Sequence, residues 1–436
     1  MDAFLQGILQ NVFLSTAVGG ASGGIVLAKA KLEKQAVLLL VVQALYGVAS
    51  ALSGTFLPIY LWKASGSYTL IGWFTFAQCV TGGLTFWIAG KWVKEHNKMH
   101  SLRLGIALSG VFYSTVLLLG GKADQFSVPL GVLNGLAIGL FWLAFNVVYF
   151  EVTEPDTRDR YNGWAGLLGS ASGILAPWIS GLLITSMKGE KGYRFIFTLS
   201  LVIFTISVIL SFWLKKRHGE GKYSWFFGVR QLMEKGSSWR RVFPAIAAQG
   251  IREGVFMLLV GLTVYVATRS ESKLGTYSLI VSLVSLISFW LIGRLMGRMK
   301  REWAMLVGVV MLGAVILPLF WQVSYISLLM FGIGTSLFMP LYIIPMTSRV
   351  FDLIGQSEKN AVHREELIVL REAGLTIGRL VGLSVYLIVL PINDSPRAVT
   401  WLLLAVGVVP IAGWWFMKPF LRKQALANAG RHSSNN

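Results

Sequence analysis

Long apolar segments alternate with short polar connections along almost the whole chain. Twelve of these segments have about 20 residues, the length at which a helix crosses a hydrocarbon core of roughly 30 Å. They begin at Ala36, Tyr68, Leu102, Val128, Gly163, Phe195, Phe243, Gly275, Trp303, Tyr325, Leu367 and Ala398. A helix satisfies its backbone hydrogen bonds within one segment, so the pattern predicts an all-α membrane protein with twelve transmembrane helices.

A polar, basic stretch interrupts this pattern between the sixth and seventh segments. Residues 215–242 are therefore predicted to form a linker between two bundles of six helices. We expect the bundles to span residues 36–214 and 243–417. We expect residues 418–436 to be a disordered cytoplasmic tail, because they are polar and terminal.

The first 35 residues are predicted to be a cytoplasmic segment ahead of the first span. Within residues 1–28, apolar side chains including Phe4, Ile8 and Phe13 share one helical face. This spacing favours an amphipathic helix lying in the membrane interface. A thirteenth span is the alternative for the same residues.

Composition supports lipid as the solvent of this chain. Hydrophobic residues make up 55% of the 436 residues and charged residues 14%, against about 25% charged in soluble domains. The net charge of +19 would suggest a nucleic-acid partner in a soluble protein. Here long apolar runs separate the basic residues. This pattern favours a role of the charges in membrane topology, and we expect no nucleic-acid partner. The single cysteine, Cys79, excludes an internal disulfide.

The distribution of the 39 basic residues predicts the orientation of the chain. If the first span runs from inside to outside, 29 of them lie on one face and two, Arg252 and Arg379, lie within spans. The other face holds Lys63, Lys122, Lys188, Lys191, Arg194, Arg269, Lys273 and Arg397. Because the positive face of a membrane protein is usually cytoplasmic, we expect both termini in the cytosol and the protein in the cytoplasmic membrane.

The two halves resemble each other at an offset of about 200 residues. Gln43, Tyr46 and Gly47 in span 1 correspond to Gln249, Arg252 and Glu253 in span 7, and GLFWLAFN corresponds to SLFMPLYI. Spans 5 and 11 each carry a stripe at four-residue spacing, Gly169, Gly173, Pro177 and Gly181 in span 5 and Gly374, Gly378 and Gly382 in span 11. Such stripes allow close approach of a second helix, so we interpret them as packing surfaces.

Six plus six spans, a basic central linker and basic loops after spans 2 and 8 resemble the major facilitator superfamily. Within it, the blocks YFEVTEPDTRDRYNG and REGVF, with the VYVATRSESKLG that follows, look like the YqgE group of transporters. The resemblance implies two pseudo-symmetric bundles around a central cavity. One departure is that Lys94 stands in the loop after span 2 where the superfamily usually has an acidic residue. We expect Glu151, Arg158 and Arg160 to supply part of the missing gating contacts.

Three charged residues lie deep within predicted spans. Arg252 and Glu253 are about 14 Å into span 7, and Arg379 is at a similar depth in span 11. Each such charge costs about 2.5–3.5 kcal/mol at the bilayer centre and should therefore face protein or water. Neighbours on a helix diverge by about 100°, so Arg252 and Glu253 do not suit each other as partners. We predict a Glu253–Arg379 ion pair, with Glu253 as the only deep carboxylate.

The resemblance also implies a set of cavity residues, because spans 1, 4, 7 and 10 line the cavity in this superfamily. The predicted substrate-cavity residues are Gln43, Tyr46, Trp142, Asn146, Tyr149, Gln249, Arg252 and Tyr342. Packing is the alternative role for their aromatic members. Amide, aromatic and guanidinium groups together suit an organic solute with an anionic or hydroxylated part. Glu253 and Arg379 are the candidates for proton coupling.

Enzymatic signals are weak in this sequence. It has no G-x-x-x-x-G-K-[ST] motif for ATP, and its five histidines fall in predicted loops or in the tail. We expect no catalytic residue, metal site or cofactor, and a monomeric protein whose partners are a small solute, protons and the bilayer. Three functions stay open: a secondary active transporter working by alternating access, a lipid-head-group flippase on the same fold, and a transport-inactive scaffold.

Overall fold

The computed structural model describes residues 32–153, 155–187, 190–216, 222–296, 299–355, 360 and 362–433. Of residues 150, 155–160, 162 and 423–433 it describes the backbone alone. The predicted amphipathic helix in residues 1–28 lies outside this part of the chain.

The N-terminal half is a bundle of six long helices, the first of which is followed by a short helical continuation. Its helices are α1 (Lys34–Gly54), α2 (Leu57–Ser65), α3 (Tyr68–Glu95), α4 (Lys98–Leu119), α5 (Ser127–Val152), α6 (Pro155–Ser186) and α7 (Glu190–Ser211). Side chains of the preceding residue cap two of them. Ser67 accepts a hydrogen bond from the Leu70 amide at the start of α3, and Asn97 accepts one from the Met99 amide at the start of α4.

The C-terminal half repeats this arrangement after a short linker helix. The linker holds α8 (Phe227–Met233); the half comprises α9 (Trp239–Thr268), α10 (Glu271–Leu295), α11 (Arg301–Ala314), α12 (Tyr325–Ile354), α13 (Arg364–Ile392), α14 (Pro396–Gly407) and α15 (Pro410–Ser433). Ser270 caps α10, and Ser324 with Ser327 forms a capping box at α12. The last helix includes most of the segment 418–436 for which the sequence predicts disorder.

Eleven helices in the described ranges are long and apolar enough to cross a membrane. They correspond to eleven of the twelve predicted spans. The second predicted span is the helix α3, which has 28 residues and packs against α5 and α13 within the bundle. It is less apolar because Gln78, Gly82 and Gly83 lie on its cavity side. The all-helical membrane fold is confirmed.

Two pairs of helices join the halves, α3 with α13 and α6 with α10. Glycines allow the close approach in both places. A Cβ atom on Gly83 would lie 2.6 Å from Thr376 of α13, and one on Gly181 would lie 2.6 Å from the Glu271 carbonyl oxygen of α10. Glycines thus bring the helices of the two halves into close contact at these positions.

The glycine stripe in span 11 is a packing surface, as the sequence predicts. A Cβ atom on Gly378 would lie 2.0 Å from the Ala247 carbonyl oxygen, and one on Gly382 would lie 2.4 Å from that of Ile251. Both contacts are with the backbone of α9, which cannot move aside as a side chain can. The stripe therefore fixes α13 against α9 and sets the positions of the charged residues that these helices carry.

Candidate functional site

A cavity of about 370 Å³ lies between the two halves. Its polar lining from the N-terminal half consists mainly of amides and small hydroxyls, including Gln78 of α3 and Asn134 and Asn146 of α5. The charged lining comes from the C-terminal half and comprises Glu253, Arg371, Glu372 and Arg379. The lining from the N-terminal half is thus uncharged, and the lining from the C-terminal half holds two carboxylates and two guanidinium groups.

Arg379 binds two carboxylates in this wall. Its Nη2 atom lies 3.1 Å from Oε2 of Glu253, and its Nη1 atom lies 2.7 Å from Oε1 of Glu372. The Glu253–Arg379 pair predicted from the sequence is therefore present. Glu253 also accepts a hydrogen bond of 2.6 Å from the side-chain amide of Gln249, one helical turn earlier. Both oxygens of Glu253 thus have donors within the protein.

The two carboxylates differ in exposure. The Glu253 side chain is 7% exposed and the Glu372 side chain 19%. Glu253 accepts hydrogen bonds from two side chains, Gln249 and Arg379. Among the residues that the structure describes, Glu372 accepts a side-chain hydrogen bond from Arg379 alone. Glu372 is therefore the more easily displaced of the two.

Two charged residues of the cavity, Arg371 and Glu372, are missing from the set of deep charges predicted from the sequence. The prediction that Glu253 is the only deep carboxylate is wrong, because Glu372 lines the same cavity. Glu372 lies only five residues after Leu367, the predicted start of span 11, so the sequence places it near the end of that span. In the structure α13 begins earlier, at Arg364, and its first turns already contact the cavity.

The structure brings some of the predicted cavity residues together. Tyr46, Trp142 and Asn146 line the cavity with Glu253 and Arg379. Tyr46 stacks on Phe141 with ring centres 3.5 Å apart, so its role as an aromatic wall includes packing.

The other five predicted cavity residues lie away from the lining of this cavity. Gln43 accepts a hydrogen bond of 3.2 Å from the Tyr161 hydroxyl, and Tyr149 packs against Tyr161. Gln249 is buried against Glu253, and Tyr342 is fully buried in the core of the C-terminal half.

Arg252 also points away from the cavity. Its guanidinium carbon lies 4.1 Å from the centre of the Phe256 ring, and its Nη1 atom lies 3.5 Å from the sulfur of Met339 in α12. The side chain is 4% exposed. Because neighbouring helix positions diverge by about 100°, α9 presents Glu253 to the cavity and Arg252 to α12.

A buried ion pair joins the halves at one end of the cavity, which we call the Lys94 end. The Lys94 ammonium in α3 lies 2.8 Å from Oε1 and 2.9 Å from Oε2 of Glu366 in α13, and 3.6 Å from Glu365. It also donates to the Val362 carbonyl. The side chains of Lys94 and Glu366 are 5% and 2% exposed. Lys94, which departs from the superfamily pattern, therefore pairs with acidic residues across the halves.

A second set of contacts joins the halves at the opposite end, the Lys63 end. The Lys63 ammonium in α2 lies 2.6 Å from Oε1 of Glu271 in α10, and the Tyr193 hydroxyl donates to the same oxygen at 2.9 Å. The ammonium also lies 5.7 Å from the centre of the Tyr265 ring. Ion pairs thus bridge the halves at both ends of the cavity.

The gating residues expected from the sequence are placed differently. The Glu151 carboxylate forms an ion pair with the Lys98 ammonium, which lies within the N-terminal half. The side chains of Arg158 and Arg160 lie outside the described residues. Lys94, with Glu365 and Glu366, joins the halves at this end.

A family model described as Major Facilitator Superfamily matches residues 39–362. The chain belongs to the major facilitator superfamily. This is a family of membrane transporters and not of enzymes, so the protein is a multi-pass membrane protein of a transporter family.

Relatives within this superfamily support the narrower resemblance. The chain is 35% identical to "Uncharacterized protein YqgE" of Bacillus subtilis (strain 168) over 402 residues, which cover 92% of this chain and 93% of that protein. It is 38% identical over 192 residues to "Uncharacterized protein in sodM 3'region" of Geobacillus stearothermophilus, covering 44% of this chain and 90% of that one. The predicted similarity to the YqgE group is confirmed.

Solved structures share the fold of this superfamily member. A bacterial homologue of the iron transporter ferroportin, crystallised outward-facing with soaked iron, superposes with a TM-score of 0.61 at 15% identity. A bacterial metal transporter superposes with a TM-score of 0.60 at 16% identity. In both cases the match covers 89% of this chain and 99% of the other.

Proposed function

We propose that the protein is a secondary active transporter that moves a small organic solute with an anionic part by alternating access. The observation that supports this most is the Glu253–Arg379–Glu372 cluster in the wall of a cavity bridged at both ends. Alternating access requires that one set of bridging contacts breaks while the other holds. The Lys94 and Lys63 pairs are suited to these two roles.

Arg379 is the proposed anchor for the anionic part of the solute. A guanidinium group binds carboxylates and related anions through two parallel hydrogen bonds. In the structure Glu372 occupies one side of this fork and is the less enclosed of its two partners. A solute carboxylate would replace Glu372 there, while Asn134, Asn146 and Gln78 would hydrogen-bond its hydroxyl or amide groups.

Glu253 is the proposed site of proton coupling. Protonation would remove its charge and weaken the contact with Arg379, whose second carboxylate, Glu372, would remain. This changes the interactions between α9 and α13, the helices that form the charged wall of the cavity. We infer that the protonation of Glu253 shifts the balance between the states open at either end.

An organic solute is favoured over a metal ion, although both similar structures are described as metal transporters. Those similarities, at 15% and 16% identity, concern the fold alone. In the described ranges no group of three or more His, Cys, Asp or Glu residues is placed to hold a metal ion. The two cavity carboxylates instead hold the guanidinium of Arg379.

We place the Lys94 end on the cytoplasmic side. The linker and both termini then lie in the cytosol, with most of the basic residues, as the positive-inside rule requires.

A ligand screen tests the proposed site. The thermal stability of the purified protein would be measured with a panel of organic anions and hydroxylated solutes at acidic and neutral pH. We expect a solute that raises the melting temperature in a pH-dependent way. Glu253→Gln should abolish the pH dependence, and Glu234→Gln, at an exposed linker position, should retain it. Unchanged stabilisation and pH dependence in Glu253→Gln would refute the assigned role.

A further inference from the structure

The linker segment 222–233 holds the two halves together at the Lys94 end. The Tyr223 amide donates to Oε1 of Glu95 in the N-terminal half at 3.0 Å. The next amide, of Ser224, donates to Oε1 of Glu366 in the C-terminal half at 3.1 Å. The Phe227 ring stacks on the His363 ring with centres 3.9 Å apart. Opening of this end requires the segment to leave at least one half.

The inner side of this segment packs below the ends of the membrane helices. The Tyr223 hydroxyl lies against Gly90, five residues before α3 ends, and Gly228 lies against Leu370, six residues after α13 begins. These contacts are therefore about 8–9 Å inside the helix ends. The 29 residues of α13 measure about 43 Å and extend about 6–7 Å beyond each side of a hydrocarbon core of roughly 30 Å. The segment thus lies at the boundary between head groups and hydrocarbon.

Aromatic contacts support this depth. The Trp225 ring lies 5.2 Å from the ring of Trp87 in α3, which is 41% exposed. The Lys91 ammonium lies 5.9 Å from the Trp225 ring. Tryptophan and lysine side chains together are typical of the membrane–water interface.

The outer side of α8 is apolar and exposed. Phe226 is 60% exposed, Val229 48% and Met233 76%, and their spacing places them on one helical face with the exposed Arg230. An apolar stripe with a basic residue beside it is the pattern of helices that lie in the plane of the interface.

Exposed basic residues flank this apolar face in the sequence. In the described residues between 212 and 241, the exposed acidic residue is Glu234. The exposed basic residues there are Lys215, Lys216, Lys222, Arg230, Lys235, Arg240 and Arg241. Seven positive charges against one negative charge, at the level of the head groups, complement the phosphates of anionic phospholipids.

We propose that the linker segment is a binding site for anionic phospholipids and that bound lipid stabilises the closed Lys94 end. Phe226, Val229 and Met233 would enter the interface while the basic residues bind lipid phosphates. Since the inner side contacts both halves, lipid on the outer side would favour the state in which the segment is docked. The lipid contact stands without the proposed transport function, whereas its effect on opening depends on alternating access.

Spin labels test the lipid contact. In a Cys79→Ser background, labels at Phe226→Cys and Met233→Cys would be examined in vesicles of phosphatidylcholine and in vesicles that also contain phosphatidylglycerol. We expect several-fold higher collision with oxygen than with a water-soluble nickel complex, and a larger ratio with phosphatidylglycerol. A label at His96→Cys, in the exposed loop between α3 and α4, is the aqueous control. Labels that stay in water, or the same ratio in both vesicles, would overturn the proposal.

Reaction of the native Cys79 tests the coupling to the cavity. This single cysteine lines the cavity, so its modification by a membrane-impermeant thiol reagent reports opening. From the side of the Lys94 end, we expect phosphatidylglycerol to slow the reaction several-fold. The triple variant Arg230→Gln, Arg240→Gln, Arg241→Gln should lose this lipid effect and keep its melting temperature. A rate independent of the lipid in the unmodified protein would overturn the proposed stabilisation.

Discussion

The Lys94 ammonium and the Glu366 carboxylate, 272 residues apart in sequence, form a buried ion pair between the two halves of the protein. Neither side chain is more than 5% exposed. Removing one partner of such a pair leaves an uncompensated charge in a site that excludes water. The pair is therefore well placed to hold one end of the cavity closed.

Lys94→Ala should open the Lys94 end. The loss of one partner destabilises the closed end by about 3 kcal/mol, the lower bound for breaking a buried pair. We expect faster modification of Cys79 by an impermeant thiol reagent in vesicles that expose this end to the reagent. The charge exchange Lys94→Glu with Glu366→Lys should restore slow modification in part.

Lys91→Ala is the matched control for this experiment. Lys91 is 46% exposed and its ammonium lies 3.9 Å from Glu95, within the same helix. Exposed pairs of this kind contribute about 0–1 kcal/mol. Equal rates for Lys94→Ala and Lys91→Ala would show that the buried pair does not control this end.

Lys63→Ala should have the corresponding effect from the other side of the membrane. Lys63 is 39% exposed, so its ion pair with Glu271 is more screened by water than the Lys94 pair. We therefore expect a smaller increase in the rate of Cys79 modification, and only when the reagent is added at the Lys63 end. Arg194→Ala, which alters an exposed pair with Glu190, serves as control. An increase from the Lys94 end instead would contradict the assignment of this contact.

Arg379→Gln should destabilise the protein more at neutral than at acidic pH. The substitution leaves Glu253 and Glu372 side by side without the guanidinium that both contact. Protonation at acidic pH removes the unpaired negative charge, so part of the lost stability should return as the pH falls. Melting temperatures of Arg379→Gln and of the double variant with Glu253→Gln would measure this. The double variant should be less sensitive to pH, and equal sensitivity would count against the shared-guanidinium arrangement.

The contacts of the charged residues show how much of the candidate site can be predicted from the sequence. Depth in an apolar segment is a local property, and it was enough to predict the Glu253–Arg379 pair. The partner of Lys94 was not predictable in this way, because Glu366 comes near it only when α3 and α13 pack together. The sequence marked Lys94 as a departure from the superfamily pattern without indicating which residue compensates for it.

The predicted cavity face of α9 shows a second limit. A helical face defined by i, i+3, i+4 and i+7 spacing is wide enough to face two neighbours at once. Close contact at Gly250 and Gly254 turns Glu253 towards α13 and the cavity, and Arg252 towards α12. The rotation of the helix about its axis depends on these interhelical contacts. The spacing of residues within one segment therefore does not predict it.

Gly378→Ala should lower the stability of the fold. Its Cβ atom would lie 2.0 Å from the Ala247 carbonyl oxygen, so α13 and α9 would have to separate. We expect a loss of about 1–3 kcal/mol, the usual range for overpacking, and a lower melting temperature. Gly261→Ala in α9 meets nothing within 4 Å and should be neutral or slightly stabilising. Similar melting temperatures for the two variants would contradict the close contact.

Distances measured at both ends in the same preparation test the central claim, proton-linked alternating access around Glu253, most directly. In a Cys79→Ser background, one spin-label pair at His100→Cys and Arg240→Cys would report the Lys94 end. A second pair at Lys122→Cys and Gln322→Cys would report the Lys63 end; all four positions are exposed.

Lowering the pH is predicted to change the two distances in opposite directions, and Glu253→Gln is predicted to abolish both changes. Two distances that stay constant, or that lengthen together, would contradict the account.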